Sequence, residues 1–322
     1  MTTRFQGLLA RLRQGSAPLS ADQVATLSDL SAVERQVFLA AWSDLPQERR
    51  LRLLEHMGRL ADERIELNFD AIDRAALTDP DPHVRSVAIR NLWECEDPAL
   101  ADCLLQILHT DPALEPVRAA ARALGHFVLL AEPAQLEEGQ LERIVAGLLS
   151  VAVTSPDDTA RRTCVESLGY SSRSEAAGLI QQAFESDQDA WRASALIAMG
   201  RSANDEWAER ILPMLQHPAP TLRLEAARAC GELELKPSTR PLVELLQDPS
   251  PEIRRAAVWS LGQVGGKPAY QALRHYLRRN DYPEDAELID SALENLAFVE
   301  GTEQMLGYSR EDDDLEDEGD EA

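Results

Sequence analysis

The sequence predicts an all-α fold, a right-handed α-α superhelix in which short helical hairpins stack one upon the next. Three observations carry that expectation. Hydrophobic residues make up 44% of the 322 but aromatics only 5%, so the core must be built from Leu, Ala, Val and Ile, side chains suited to helix packing. Ile180, Ile211, Leu242 and Leu273 recur every 31 residues, and Leu149 extends the series backwards. Three further series keep the same step: Val153, Phe184, Leu215, Leu246 and Leu277; Arg161, Arg192, Arg223 and Arg254; and Gly169, Gly200, Gly231 and Gly262. One period shared by four series marks a repeat array, because a lone hairpin cannot bury its own apolar face.

Residues 1–63 are helical in pattern but do not fit the 31-residue template, and are expected to form an N-terminal cap. Ser20 with Gln23 and Ser31 with Glu34 read as capping boxes, and Pro46 suits a first turn, giving helices over 3–14, 20–29, 31–43 and 46–61. The repeats are expected over 64–300, as about seven hairpins. In each, the two apolar series lie four residues apart, the stripe of an amphipathic first helix. A second helix follows a turn, best seen in DPSPEIRRAAVWSLG, residues 248–262. There the prolines start the helix, Ile253, Ala257, Leu261 and Val264 share one face, and Gly262 supplies a small residue near its end.

The motif continues outward less regularly. DPDPHVRSVAIRNLW, residues 79–93, carries Arg85 at the arginine position and Trp93 where the glycine would be. LEPVRAAARALG, residues 114–125, has one residue fewer between Arg118 and Gly125. The glycine step then widens to 44, with EPAQLEEGQ at 132–140 as the inserted loop. Pro213 should kink its first helix. In 285–297 Ile289 replaces the arginine, as suits a degenerate terminal cap. Residues 301–322 form an acidic tail whose last twelve positions hold nine acidic and no basic side chains, and it is expected to be disordered.

The motif DP-x-x-x-(I/V)-R-x-x-A-x-x-x-L-G resembles the short HEAT-like repeats first named after phycobilisome lyases, over roughly residues 68–300. That resemblance implies a HEAT-like, armadillo-type solenoid. The architecture is shared by bilin lyase subunits, deoxyhypusine hydroxylase, HEAT-like DNA glycosylases and plain interaction scaffolds, so fold alone does not choose the function. The hydroxylase would require His-Glu pairs to hold a di-iron centre. The six histidines, at 56, 83, 109, 126, 217 and 275, are followed by Met, Val, Thr, Phe, Pro and Tyr, which rejects that activity and leaves them as surface or turn residues.

A glycosylase would need a basic face with aromatic residues. Trp191, Trp259 and Tyr170 are available, but a net charge of −24 opposes binding to a phosphate backbone. Bilin attachment would need a chromophore pocket, which no local motif reports. GxSxG, P-loop, GxGxxG and HExxH patterns are all missing, and Gly265-Gly266-Lys267-Pro268 lies in a turn between repeats. No catalytic residue, cofactor or metal site is therefore expected. Cysteines 95, 103, 164 and 230 form neither CxxC nor CxxH and read as buried thiols in a reducing compartment. MTTRFQGLLARLRQG lacks the apolar stretch of a leader, and no segment has 18 uninterrupted apolar residues, so a cytoplasmic protein with no membrane partner is expected.

Of 32 basic residues only Lys236 and Lys267 are lysine, a bias that either genome composition or carboxylate recognition explains. Arg85, Arg161, Arg192, Arg223 and Arg254 are expected to form a structural ladder, bonding turn carbonyls and carboxylates between neighbouring repeats. The opposite side of the second helices, the expected concave wall, carries the candidate partner-binding residues. These are Arg118 and Arg122, Arg162 and Tyr170, Ile197 and Arg201, Leu224 and Arg228, and Arg255 and Trp259. Such a composition is that of protein-binding hot spots; the alternative is an ordinary exposed surface with Trp259 lying partly over its neighbour.

The expected function is a non-catalytic scaffold or adaptor that grips a protein or peptide along this face, its arginines selecting acidic segments. A bilin-lyase-like accessory or cofactor-attachment factor is the alternative, and a nucleic-acid binder a more remote one. The acidic tail would compete for the same arginines as an internal mask.

Overall fold

The computed structural model describes residues 3–14, 19–130, 136, 139–279 and 283–305; the acidic tail beyond 305 and most of the 132–140 loop lie outside them. Among the described residues there are α-helices, short 3-10 turns and no strand. The chain divides into two compact units, Met1–Ser171 and Ser172–Ala322. The first holds α1 (Thr3–Gln14), α2 (Ala21–Ala25), α3 (Ala32–Trp42), α4 (Gln47–Glu63), α5 (Asp70–Ala76), α6 (Pro82–Asn91), α7 (Pro98–Thr110), α8 (Leu114–Leu129), α9 (Gln140–Thr154) and α10 (Asp158–Leu168). The second holds α11 (Ser174–Phe184), α12 (Asp189–Arg201), α13 (Ala208–Ile211), α14 (Pro220–Glu232), α15 (Thr239–Leu245), α16 (Pro251–Val264), α17 (Gly266–Arg279) and α18 (Ala286–Met305).

Aspartate and proline start the second helices where the motif placed them. Asp81 accepts from the amides of His83 and Val84 with Pro82 in the first turn, and Asp157 accepts from Ala160. Pro220 and Pro251 open α14 and α16. Ser20 and Gln23 form a full capping box, whereas Ser31 accepts from the Glu34 amide and donates to its carboxylate, leaving the box half made.

Packing follows one pattern in both units: from α6 on, each second helix lies against its hairpin partner, and within a unit against the next second helix. In the first unit α4 packs on α6, α6 on α8 and α8 on α10, with α3 on α5 and α7 on α9. In the second α12 packs on α14, α14 on α16 and α16 on α18, with α15 on α17. This is the all-α HEAT solenoid, with two layers of helices around an apolar seam within each unit. Alanines dominate the second helices, and Ala119–Ala121, Ala226, Ala227, Ala256 and Ala257 are buried, so backbones approach closely.

Gly200, Gly231 and Gly262 serve the same approach and lie inside their helices, whereas Gly169 caps the end of α10. A Cβ on Gly200 would lie 3.0 Å from the Cα of Ala229, and one on Gly231 would lie 2.9 Å from the Cα of Ser260. The residues that end these helices are different ones. Ala203, Glu234 and Gly265, again 31 apart, all have positive φ, at 49°, 49° and 76°.

Three other expectations meet the structure as follows. Pro213 replaces an α-helical turn by a 3-10 segment over Leu212–Gln216. The backward extension of the apolar series fails by one position. In α9 Ile144, Val145, Leu148, Val151 and Ala152 are among the buried residues, while Leu149 is half-buried and Val153 is 59% exposed, because the helix that follows the insertion carries its own apolar stripe in a shifted register. At the far end Ile289 is buried in α18 where an arginine would otherwise stand.

The N-terminal segment contains a hairpin of the repeat type. Within α3 and α4, Arg50 and Gly58 stand eight residues apart, as Arg254 and Gly262 do. A Cβ on Gly58 would meet the Asn91 side chain of the next second helix at 2.5 Å.

Candidate functional site

Several second helices, α6, α8 and α14 among them, carry arginines on two sides, and their surroundings differ. On the turn side a recurring rung joins one hairpin to the next. Arg85 donates through Nε and Nη2 to both carboxylate oxygens of Asp111, at 2.7 and 2.6 Å, and through Nη1 to the Asp79 carbonyl. Arg223 makes the same fork to Asp248 and also reaches the carbonyls of His217 and Pro218. Arg254 bonds the Asp248 carbonyl and lies 3.7 Å from Asp285. Each aspartate also holds its own turn: Asp79 accepts from the Asp81 amide, Asp111 from Ala113 and Asp248 from Ser250. That double duty explains the Asp-Pro of the motif.

The rung begins earlier than the motif indicates. Arg50 donates to Asp79 at 3.0 Å and to the Leu45 carbonyl, and Trp42 Nε1 donates to the same carboxylate at 2.9 Å. Elsewhere the partners differ. Arg161 donates to the Ala152 carbonyl and stands 4.0 Å from Asp158. Opposite Arg192 the aspartate position is His217, whose Nε2 is 3.5 Å away, beside Met214 Sδ at 3.4 Å.

Two residues expected on the open face belong to this turn side. Arg118 forks to Asp157 at 2.9 and 2.6 Å, which holds the Asp157 carboxyl below the ordinary carboxylate range. It follows Val117 as Arg85 follows Val84 and is therefore the motif arginine; the shortened spacing to Gly125 disguised it. Arg255 donates to the buried Asp285 at 2.7 Å, because the 3-10 turn before α18 brings one carboxylate to two successive arginines.

The remaining candidates stay on the open side. In the second unit Trp259 is 37% exposed, its ring lying over Gly231, where a Cβ would sit 2.5 Å from Cζ3. Ile197 and Leu224 are half-buried. Arg228 is paired with Glu225 at 3.1 Å. Glu232, which burial pushes above its usual range, has both Arg201 and Arg228 among the charges that act on it. In the first unit Arg162 sits 3.6 Å from Asp158 and Tyr170 is half-buried. Arg122 is exposed.

Three residues here were not among the expected partner-binding positions. Arg90 lies five residues after Arg85, as Trp259 does after Arg254, and is exposed beside Trp93, itself 55% exposed. That offset is the signal that would have found Arg90. The third is Asp73 on α5. It is 3% exposed, accepts from Asn91 Nδ2 at 2.8 Å, and lines an open cleft of about 930 Å³ together with Phe69, Asn91 and Trp93. Burial above all, with the charge of Asp70 adding and the Asn91 bond opposing, pushes its carboxyl up to about 8, so it is largely protonated at neutral pH.

Burial also raises the thiols of Cys164 and Cys230 to about 12, which keeps them protonated and unreactive. No group of three or more His, Cys, Asp or Glu among the described residues is arranged to hold a metal ion. No helix among them is long and apolar enough to cross a membrane.

Comparison with known proteins agrees with this architecture. The HEAT-repeat family matches residues 69–138 and 208–296. This chain is thus a HEAT-repeat protein. Among solved structures it is similar to yeast importin-beta (Kap95p), at 12% identity over 91% of this chain and 46% of that one, with a TM-score of 0.53. It is also similar to the complex of CpcE and CpcF of phycocyanin lyase from Nostoc sp. PCC7120, at 22% identity over 70% of this chain and 94% of that one, with a TM-score of 0.46. Human deoxyhypusine hydroxylase aligns at 19% identity over 80% of this chain and 95% of that one, with a TM-score of 0.34. At 12% identity the likeness to importin-beta is one of fold alone. No curated protein matches the chain.

Proposed function

We propose that the chain is a non-catalytic interaction scaffold that holds a protein or peptide segment along the exposed face of its second helices. The observation that carries this reading is the division of labour across those helices. Rung arginines are consumed by aspartates of neighbouring hairpins, while the other side presents Trp93, Arg90, Arg122, Ile197, Leu224 and Trp259 to solvent or partly so. Aromatic, aliphatic and arginine side chains on one surface are the groups that dominate protein-binding energies.

Affinity capture of the tagged chain from its native lysate, beside Trp259→Ala/Arg228→Ala, tests the reading. A partner retained by the parent and lost by a variant with unchanged circular dichroism supports it. Identical captures by both proteins, or none by either, overturn it.

A further inference from the structure

One pocket on this face has a specific structural origin. In several other hairpins a glycine seven or eight residues after the rung arginine lies under the next second helix: Gly58 against Asn91, Gly125 against Ser167, Gly200 against Ala229 and Gly231 against Ser260. In the α5–α6 hairpin that position is Trp93. An indole cannot occupy the space of a hydrogen atom between packed backbones. Accordingly α6 ends at Asn91, and Trp93 stands out in the turn that follows.

A pocket of about 190 Å³ is left between α6 and α8, walled by Trp93, Ile89, Ala123 and Phe127. Arg90, Arg122 and His126 form its polar margin, and no carboxylate lines it among the described residues. In a chain with 56 acidic and 32 basic residues that margin is unusual. Other exposed arginines, such as Arg52, Arg143 and Arg240, stand beside a carboxylate.

We infer that this pocket receives one aliphatic or aromatic side chain of a partner protein, from a segment in which that residue is flanked by Asp or Glu. The inference rests on the scaffold reading and names the chemistry of its ligand. The volume suits a single Leu, Ile, Met or Phe side chain, and the indole supplies a rigid apolar wall. Arg90 and Arg122 stand on either side of the opening, on α6 and α8, so carboxylates on both sides of the anchor residue can each be forked by a guanidinium. On a chain of net charge −24, an opening lined by Arg90, Arg122 and His126 without a carboxylate favours an acidic segment over the acidic surface of the neighbouring cleft.

The test is selection of random displayed peptides on the full chain, in parallel with Trp93→Ala and Arg90→Glu/Arg122→Glu. The parent is expected to enrich peptides with one large apolar residue between acidic ones. Synthetic versions should bind Trp93→Ala roughly tenfold or more weakly, and the charge-reversed protein should enrich basic flanks instead, a switch that misfolding cannot produce. Acidic peptides that bind both variants as well as the parent overturn the pocket while leaving the scaffold reading intact. Failure to enrich any such peptide overturns it too. A peptide of residues 309–322 that binds the pocket as tightly as the selected ones overturns the separate partner and assigns the site to the chain's own acidic end.

Discussion

Arg118 and Arg122 lie one turn apart on α8, yet the first is forked to Asp157 and the second is exposed. The pairs Arg85 with Arg90 and Arg223 with Arg228 repeat the arrangement. What separates the two sets is the identity of the following hairpin's turn, which places an aspartate beside one edge of the helix and leaves the other edge bare. The open faces also differ between the units. In the second, Arg201 and Arg228 stand among Glu225 and Glu232, whereas in the first Arg90 and Arg122 rim a pocket without carboxylates. A shared scaffold thus supports two faces of different character, and binding chemistry is set by a few substitutions within a constant frame.

Breaking a rung should produce the largest effect. Asp111→Ala leaves the Arg85 guanidinium buried without its carboxylate and should lower stability to urea by about 3–5 kcal/mol. Arg122→Ala, on the open edge, should stay within about 0.5 kcal/mol of the parent in the same measurement.

Asp73 sharpens the contrast, since it is a buried carboxyl with no arginine to hold its charge. Its folded value near 8 lies above the ordinary 3.8, so between those pH values the native state keeps a proton that the unfolded chain releases. Stability therefore falls as pH rises through that window and is level on either side of it. Asp73→Asn keeps an acceptor for Asn91 and removes this slope. Its advantage over the parent should be near zero at pH 4 and grow to about 2–4 kcal/mol by pH 9, read from unfolding curves across that range.

A smaller effect is expected at the weakest rung. His217→Asp should let Arg192 fork as Arg223 does and raise stability by about 1 kcal/mol, seen as an upward shift of the urea midpoint.

Much of this frame was legible because helical packing imposes it on residue type at fixed spacing. The apolar series, the Asp-Pro starts and the rung arginines follow from repeated contacts, and four of the spacings are identical. Legibility failed where the spacing changed. Arg50 is 35 residues before Arg85, and Arg118 is 7 before Gly125 where the others are 8, so one was missed and the other placed on the wrong edge. The left-handed turn residue was hidden for another reason: Ala203 and Glu234 occupy a conformation for which glycine is the usual signal. Asp73 gave no sign within DAIDRAA, since its burial depends on α4 and α6 closing over it. The pocket beside Trp93 is half legible: the sequence puts a tryptophan in the glycine position, but the consequence emerges only from the glycines that lie beneath a neighbouring helix in other hairpins.

The rung aspartates have one more consequence. Because Asp248 fastens its own turn and the preceding hairpin's arginine at once, neither hairpin can open without loosening the other, and adjacent repeats are bound into one cooperative block. At His217 the tie is a long contact and a thioether. The boundary between α11–α12 and the hairpin that follows is accordingly the seam at which the second unit would part under stress, so that a single side chain sets the length over which its repeats melt together.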